Sequence, residues 1–212
     1  MTRVKICGLT TLDDAQLAAE LGAWALGMIF WHGSPRACPV EQAEAIGAQL
    51  HRRVELAGVF VNAPLDEVAV TADLCRFSVL QLHGDEGPAY CQEAGRRTGC
   101  KVIKAARVRD AAQVNGLRAY HTDFHLLDAH SRKAPGGTGE SFDWELARLH
   151  PKTTPVILSG GLTPDNVGQA IEAAAPFAVD SASGTEEAPG RKDPAKLTAF
   201  FRAVDAADRV VA

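Results

Sequence analysis

The sequence predicts an α/β fold, a (β/α)8 or TIM barrel built as a single domain over residues 1–212, and three observations predict it. Eight short β-branched or apolar runs recur along the chain, the segments between them carry helical spacing, and 212 residues shared among eight units give about 26 each, near the ~30 of a compact βαβ repeat. Alternation of this kind requires parallel strands with helical crossovers, and near-continuous apolar strands suit a sheet covered on both faces. An open doubly wound sheet is the competing architecture. No G-x-G-x-x-G follows the first run, which weakens the dinucleotide-binding version of that sheet.

In chain order the expected strands are RVKIC (3–7), WALGMIF (24–30), VELAGVFV (54–61), FSVLQLH (77–83), KVIKAA (101–106), FHLLDA (124–129), PVILSG (155–160) and FAVDSA (177–182). Leu12, Ala15 and Ala19 share one helical face after the first strand, and Val167, Ala170, Ile171 and Ala174 do so after the seventh. Thr10 with Asp13 has the spacing of a capping box. Pro39 and Pro164 stand where first helical turns are expected, the latter after Thr163 as N-cap. No linker or low-complexity segment divides the chain.

Composition narrows the partners. With 22 Lys and Arg against 26 Asp and Glu, the net charge is −4 and no basic run is long enough to neutralise a phosphate backbone, so nucleic acid is not expected. The longest apolar stretch, Leu21 to Trp31, is too short to span a bilayer, and no apolar segment follows Arg3 and Lys5 to make a signal peptide. A cytoplasmic protein without a membrane partner is expected. Five cysteines, Cys7, Cys38, Cys75, Cys91 and Cys100, contain no C-x-x-C pair and suggest neither a disulfide framework nor a zinc site.

In a (β/α)8 barrel the loops after the strands share the face on which chemistry is done, so polar strand ends become candidates. They are Cys7, Arg36, Asn62, His83, Asp128, Ser159 and Asp180. LSGGLTPDNV (158–167) and VDSASGTE (179–186) follow the last two strands; Gly160, Gly161, Ser183 and Gly184 can bring backbone N–H groups, and a short extra helix, to a phosphate, or they can be simple tight turns. Cys7 and Asp128, at the ends of the first and sixth strands, can act as general base and general acid across the mouth, or be a buried thiol and a loop cap. Arg36, held between Pro35 and Pro39, suits bidentate capture of a carboxylate, or is a solvated arginine; His83 is a substrate contact or a core histidine. The glycines of 130–140 have the composition of a lid, or of a plain connection.

Taken together, KICGLT (5–10), SPR (34–36), GVFVN (58–62), LQLHG (80–84), LLDA (126–129), GGTG with FDW (136–144), SGGLTPDNV and VDSASGTE resemble the motifs of the phosphoribosylanthranilate isomerase family of tryptophan biosynthesis, over essentially the whole chain. The resemblance implies an Amadori rearrangement of N-(5-phosphoribosyl)anthranilate with neither metal nor organic cofactor. Asp128 is then the acid that opens the furanose and Cys7 the base at ribose carbon 2. Arg36 holds the anthranilate carboxylate, His83 and Asp180 lie beside the sugar, and Gly160, Gly161, Ser183 and Gly184 bind the 5-phosphate. The only partner implied is the small phosphoribosyl substrate; a monomer is the default, with the oligomeric state left open. Ser181, Ala182 and Thr185 replace the family's usual valine, serine and valine, while Glu186 is kept. The alternatives are another phosphosugar isomerase or epimerase on the same barrel, or a phosphate-ligand sensor without catalysis.

Overall fold

The computed structural model describes residues 1–128, 144–151 and 153–211. Its eight expected strands form, the first as expected, the fifth one residue longer and the others one to three residues shorter: β1 (Arg3–Cys7), β2 (Ala25–Ile29), β3 (Glu55–Phe60), β4 (Val79–Leu82), β5 (Lys101–Arg107), β6 (Phe124–Asp128), β7 (Val156–Ser159) and β8 (Ala178–Ser181). They pair in parallel in sequential order and close on themselves: Cys7 stands opposite Gly27 of β2, and Lys5 opposite Asp180 of β8. This is the barrel, and the open sheet is excluded.

Successive strand side chains point to opposite faces, so every second residue enters the barrel. At its lower end Trp24, Phe124 and Phe177 pack edge to face or tilted, with ring centroids 5.2–5.3 Å apart. Ala57, Val79, Ile103, Ala105, Leu126, Ile157 and Ala178 make an apolar cluster with them. Two residues further along the same strands the identity changes to Gln81, Asp128, Ser159 and Asp180. The switch from apolar floor to polar mouth is therefore written in the period of two. Outward-facing Leu, Ile, Val and Phe side chains pack under the helices in a larger cluster, and each fully buried one is worth about 1.5–3 kcal/mol.

Among the described residues seven α-helices cover the barrel: α1 (Leu12–Glu20), α2 (Val40–Leu50), α3 (Leu65–Leu74), α4 (Pro88–Thr98), α5 (Ala111–Gly116), α6 (Val167–Ala174) and α7 (Pro194–Val211). The connection from β6 to β7 carries a 3-10 stretch, Trp144–Leu149. None of the described helices is long and apolar enough to cross a membrane. Between β8 and α7 a small antiparallel hairpin is inserted, β9 (Glu186–Ala188) and β10 (Arg191–Lys192).

Three helix starts differ from expectation. Thr11, not Thr10, caps α1, its hydroxyl accepting from Asp14 N, because Thr10 is drawn away to donate to the Gly190 carbonyl at 2.6 Å. Pro39 is the N-cap of α2 rather than its first residue. In the seventh unit Thr163 and Pro164 belong to a turn closed by Asn166 Oδ1 on Thr163 N, so α6 starts only at Val167. The expected lid over 130–140 lies outside the described residues.

Candidate active site

The strand ends converge on a cavity of about 250 Å³ at the barrel mouth, lined by Cys7, Arg36, Gln81, His83, Asp128, Gly160, Gly161, Asp180 and Ser183, with Ile29, Val59 and Leu162 as its apolar wall. Nine of the eleven residues singled out from the sequence meet there. Gly184 does not line it: a Cβ there would collide with the Leu162 carbonyl, so this glycine lets the turn after β8 pack against the one after β7. Gly160 and Gly161 adopt φ of +101° and +66°, left-handed conformations that side chains disfavour, and so set the shape of the upper turn. The extra helix is a single 3-10 turn, Ser183–Thr185, too short to act as a dipole. Two of the three substituted positions are accounted for locally. Ser181 is buried and donates to the Leu162 carbonyl at 2.9 Å, and Thr185 donates to the Ala182 carbonyl at 3.0 Å.

Cys7 and Lys5 are two apart on β1 and share the inward face. Lys5 is completely buried, and its Nζ donates to Asp180 Oδ1 at 2.9 Å. Asp180 Oδ2 also accepts from the Ser159 hydroxyl at 3.3 Å. The cavity's Asp180 is thus a counter-ion as well as a wall. Opposite β1, Gly27 has no side chain, and the position its Cβ would take is 2.8 Å from Cys7 Sγ and 3.2 Å from Lys5 Nζ. Thiol and ammonium both occupy the space that this glycine leaves open.

Burial pushes the Cys7 thiol above its ordinary range; Lys5 opposes this, Asp180 adds to it, and Lys192 opposes it. Desolvation thus works against the thiolate form of the residue expected to act as the base. Burial also lifts Cys38 to about 12 and Cys75 to about 11, but no ammonium opposes it there. Lys5 itself is pulled down by burial, and the Asp180 and Cys7 charges outweigh that pull and raise it.

Across the mouth, His83 Nε2 lies 3.3 Å from Asp128 Oδ2. Its Nδ1 lies 3.0 Å from Gln81 Nε2, which leaves the Nε2 proton directed at the carboxylate. Gln81 Oε1 is buried with no hydrogen-bond partner among the described residues. Arg36 is not a free fork. Its Nε and Nη2 hold the Glu186 carboxylate at 2.8–2.9 Å, which leaves the Nη1/Nη2 edge for a ligand. Gly8 (φ +75°) is slim beside this arginine: a Cβ would meet Arg36 Cδ at 2.9 Å. Asn62 turns away from the cavity and accepts from Asp85 N.

Lys5, Gln81 and Lys192 were not singled out from the sequence. For Lys5 and Gln81 a signal was present, since each sits two residues before a candidate, on the same face of a strand that has no solvent side. Lys192 reaches the site only through the hairpin register, which spacing does not reveal. Among the described residues, no three His, Cys, Asp or Glu side chains are grouped to hold a metal ion.

A family model described as N-(5'phosphoribosyl)anthranilate (PRA) isomerase matches residues 4–203. A protein of Geobacter metallireducens named N-(5'-phosphoribosyl)anthranilate isomerase is 51% identical over 202 residues, covering 95% of this chain and 98% of its own. Phosphoribosyl anthranilate isomerase from Thermotoga maritima superposes with a TM-score of 0.86 at 36% identity, covering 97% of this chain and all of its own. A further phosphoribosyl anthranilate isomerase, solved with reduced 1-(o-carboxyphenylamino)-1-deoxyribulose 5-phosphate bound, superposes with a TM-score of 0.83 at 34% identity and the same coverage. With a match of this extent on sequence and fold alike, the chain belongs to the N-(5'-phosphoribosyl)anthranilate isomerase family.

Proposed function

We propose that the chain converts N-(5-phosphoribosyl)anthranilate into 1-(2-carboxyphenylamino)-1-deoxyribulose 5-phosphate, with Asp128 as general acid and Cys7 as general base. The observation that carries this reading is the cavity itself. It holds a thiol flanked by a buried ammonium, a carboxyl group paired with a histidine, one open edge of a guanidinium, and the glycine-bearing turns after β7 and β8.

The substrate has a carboxylate at one end and a phosphate dianion at the other. The free Nη1/Nη2 edge of Arg36 suits the first, and the turns at Gly160–Gly161 and Ser183 suit the second. The ribose then lies between Cys7 and Asp128. Proton transfer from Asp128 to the ring oxygen breaks the carbon 1–oxygen bond and gives the Schiff base. Cys7 takes the proton from carbon 2, the pair of electrons moves toward nitrogen, and the enolamine tautomerises to the ketone. No redox change occurs and the proton count is conserved, so the step asks of the protein only a placed acid and a placed base. Lys5 and Lys192 lower the cost of a thiolate in a dry site. The Nε2 proton of His83 stabilises the Asp128 carboxylate once its proton is given up.

The test uses the fluorescence of the anthranilate substrate, followed as purified protein consumes it, with and without a chelator. Cys7→Ser and Asp128→Asn should each lower kcat/KM by about 10²–10⁴, the usual contribution of a positioned acid or base. Wild-type turnover of Cys7→Ser would remove the thiol from the mechanism. Loss of activity with chelator, restored by a divalent metal, would replace this scheme with a metal-dependent isomerisation. A flat trace from wild-type protein that binds the substrate tightly would favour a sensor.

A further inference from the structure

Arg36 and the hairpin β9–β10 are 150 residues apart in sequence, yet the hairpin's first residue decides how the guanidinium is used. Glu186 is buried and accepts three hydrogen bonds from Arg36: Nε to both carboxylate oxygens at 2.9 Å, and Nη2 to Oε2 at 2.8 Å. Its Oε1 also accepts from Lys192 Nζ at 3.3 Å and from Gly190 N at 3.4 Å. Lys192 has no exposed side-chain surface. Its other two ammonium protons go to the carbonyl of Cys7 at 2.7 Å and that of Ala182 at 2.9 Å, so all three donors are used and the ammonium has one available position. The hairpin is fixed in turn from outside, by Thr10 Oγ1 on the Gly190 carbonyl, Lys192 N on Asp14 Oδ2 and Lys196 Nζ on the Glu186 carbonyl.

We propose that Glu186 is a positioning residue of the site: by taking the Nε/Nη2 edge of Arg36 it turns the Nη1/Nη2 edge toward the cavity, and so sets the preference for a ligand that bears a carboxylate. This rests on the reading of Arg36 given above. The physical reason is geometric. A guanidinium offers two bidentate edges, and an arginine with both free samples several orientations over the cavity; a buried carboxylate whose own position is fixed by Lys192 removes that freedom before the ligand arrives. The cost of ordering the side chain is met in folding rather than in binding.

The experiment measures binding, so it does not depend on turnover. Two probes are titrated calorimetrically: reduced 1-(o-carboxyphenylamino)-1-deoxyribulose 5-phosphate and its analogue with phenyl in place of carboxyphenyl. The readout is the ratio of the two dissociation constants, which general loosening of the site leaves unchanged because both probes share the phosphate and the sugar. Glu186→Gln should reduce the preference for the carboxylate probe by about tenfold. Glu186→Asp keeps the charge beside Lys192 and therefore the fold, but withdraws it from the guanidinium by one methylene; it should reduce the preference by about threefold. A wild-type ratio in a folded Glu186→Gln, or in Glu186→Asp if the first variant does not fold, overturns the proposal. A wild-type protein that binds both probes equally shows instead that Arg36 does not read the carboxylate, and refutes the underlying reading. Absence of turnover with the preference intact refutes the catalytic reading alone.

Discussion

Replacing Lys5 by Met tests the electrostatics at the base of the site. Lys5 has no exposed side-chain surface, Asp180 is 5% exposed, and their charged atoms are 2.9 Å apart. Removing the ammonium leaves a buried carboxylate whose one remaining side-chain hydrogen bond among the described residues is to the Ser159 hydroxyl at 3.3 Å, and breaking a buried pair from one side costs about 3–5 kcal/mol. For a chain of this size each kcal/mol moves Tm by about 2–4 °C, so Lys5→Met should melt roughly 6–20 °C below wild type. The double variant Lys5→Met/Asp180→Asn carries no bare charge and should recover most of that loss. Catalysis follows a separate logic. Lys5 is the stronger of the two ammonium groups that oppose the upward push of burial on Cys7, and without it only the weaker one, Lys192, offsets the Asp180 charge. Both changes favour the protonated thiol. The rising limb of kcat/KM against pH, followed by substrate fluorescence, should therefore move to higher pH, with the rate depressed most at neutrality and least in alkali. A folded Lys5→Met with its limb unmoved would refute the claim that Lys5 governs thiol ionisation, and a Tm within about 2 °C of wild type would refute the buried pair.

Gly27→Ala should lower kcat by about 10²-fold while KM stays within about threefold, because the new methyl meets Cys7 Sγ at 2.8 Å and displaces the proposed base rather than the proposed binding groups; stopped-flow kinetics on a variant that still folds would check it. Ser183 is exposed and lines the cavity, so Ser183→Asp should raise KM for the phosphorylated substrate at least tenfold through repulsion of the dianion, with stability within about 0.5 kcal/mol of wild type; an unchanged KM would remove the phosphate from this turn. His125 is held neutral down to about pH 4 by burial and by His150, whose Nε2 lies 2.7 Å from its Nδ1. Since the unfolded imidazole takes up its proton near pH 6.5, the stability from this depressed value is complete above 6.5 and is lost on acidification toward 4, by about 1.4 kcal/mol per pH unit for each proton; melting curves of His125→Gln should fall less steeply over that window than those of wild type.

The barrel was legible because its rules are local. Eight apolar runs with helical spacing between them leave few ways to cover both faces of a sheet, and the period of two places Cys7, His83, Asp128 and Asp180 at one rim. Helix starts were less legible, since Thr10 and Thr11 have equal claims as a cap until Gly190, 180 residues away, takes the hydroxyl of the first. The same dependence on distant chain governs the site's electrostatics. A strand motif indicates that a thiol stands at the end of β1, but whether it ionises depends on Asp180 and Lys192, which reach it from β8 and from the hairpin. A loop motif indicates an arginine at the mouth, but which of its edges is free depends on Glu186. Residue identity at strand ends therefore identifies the groups that can do chemistry, whereas their protonation and orientation are properties of contacts closed only when the last sixth of the chain folds back across β1. That places a concrete demand on the hairpin: it contributes no reacting atom, yet a change at Glu186 or Lys192 should be felt in ligand preference and in the Cys7 pH limb before it is felt anywhere else in the barrel.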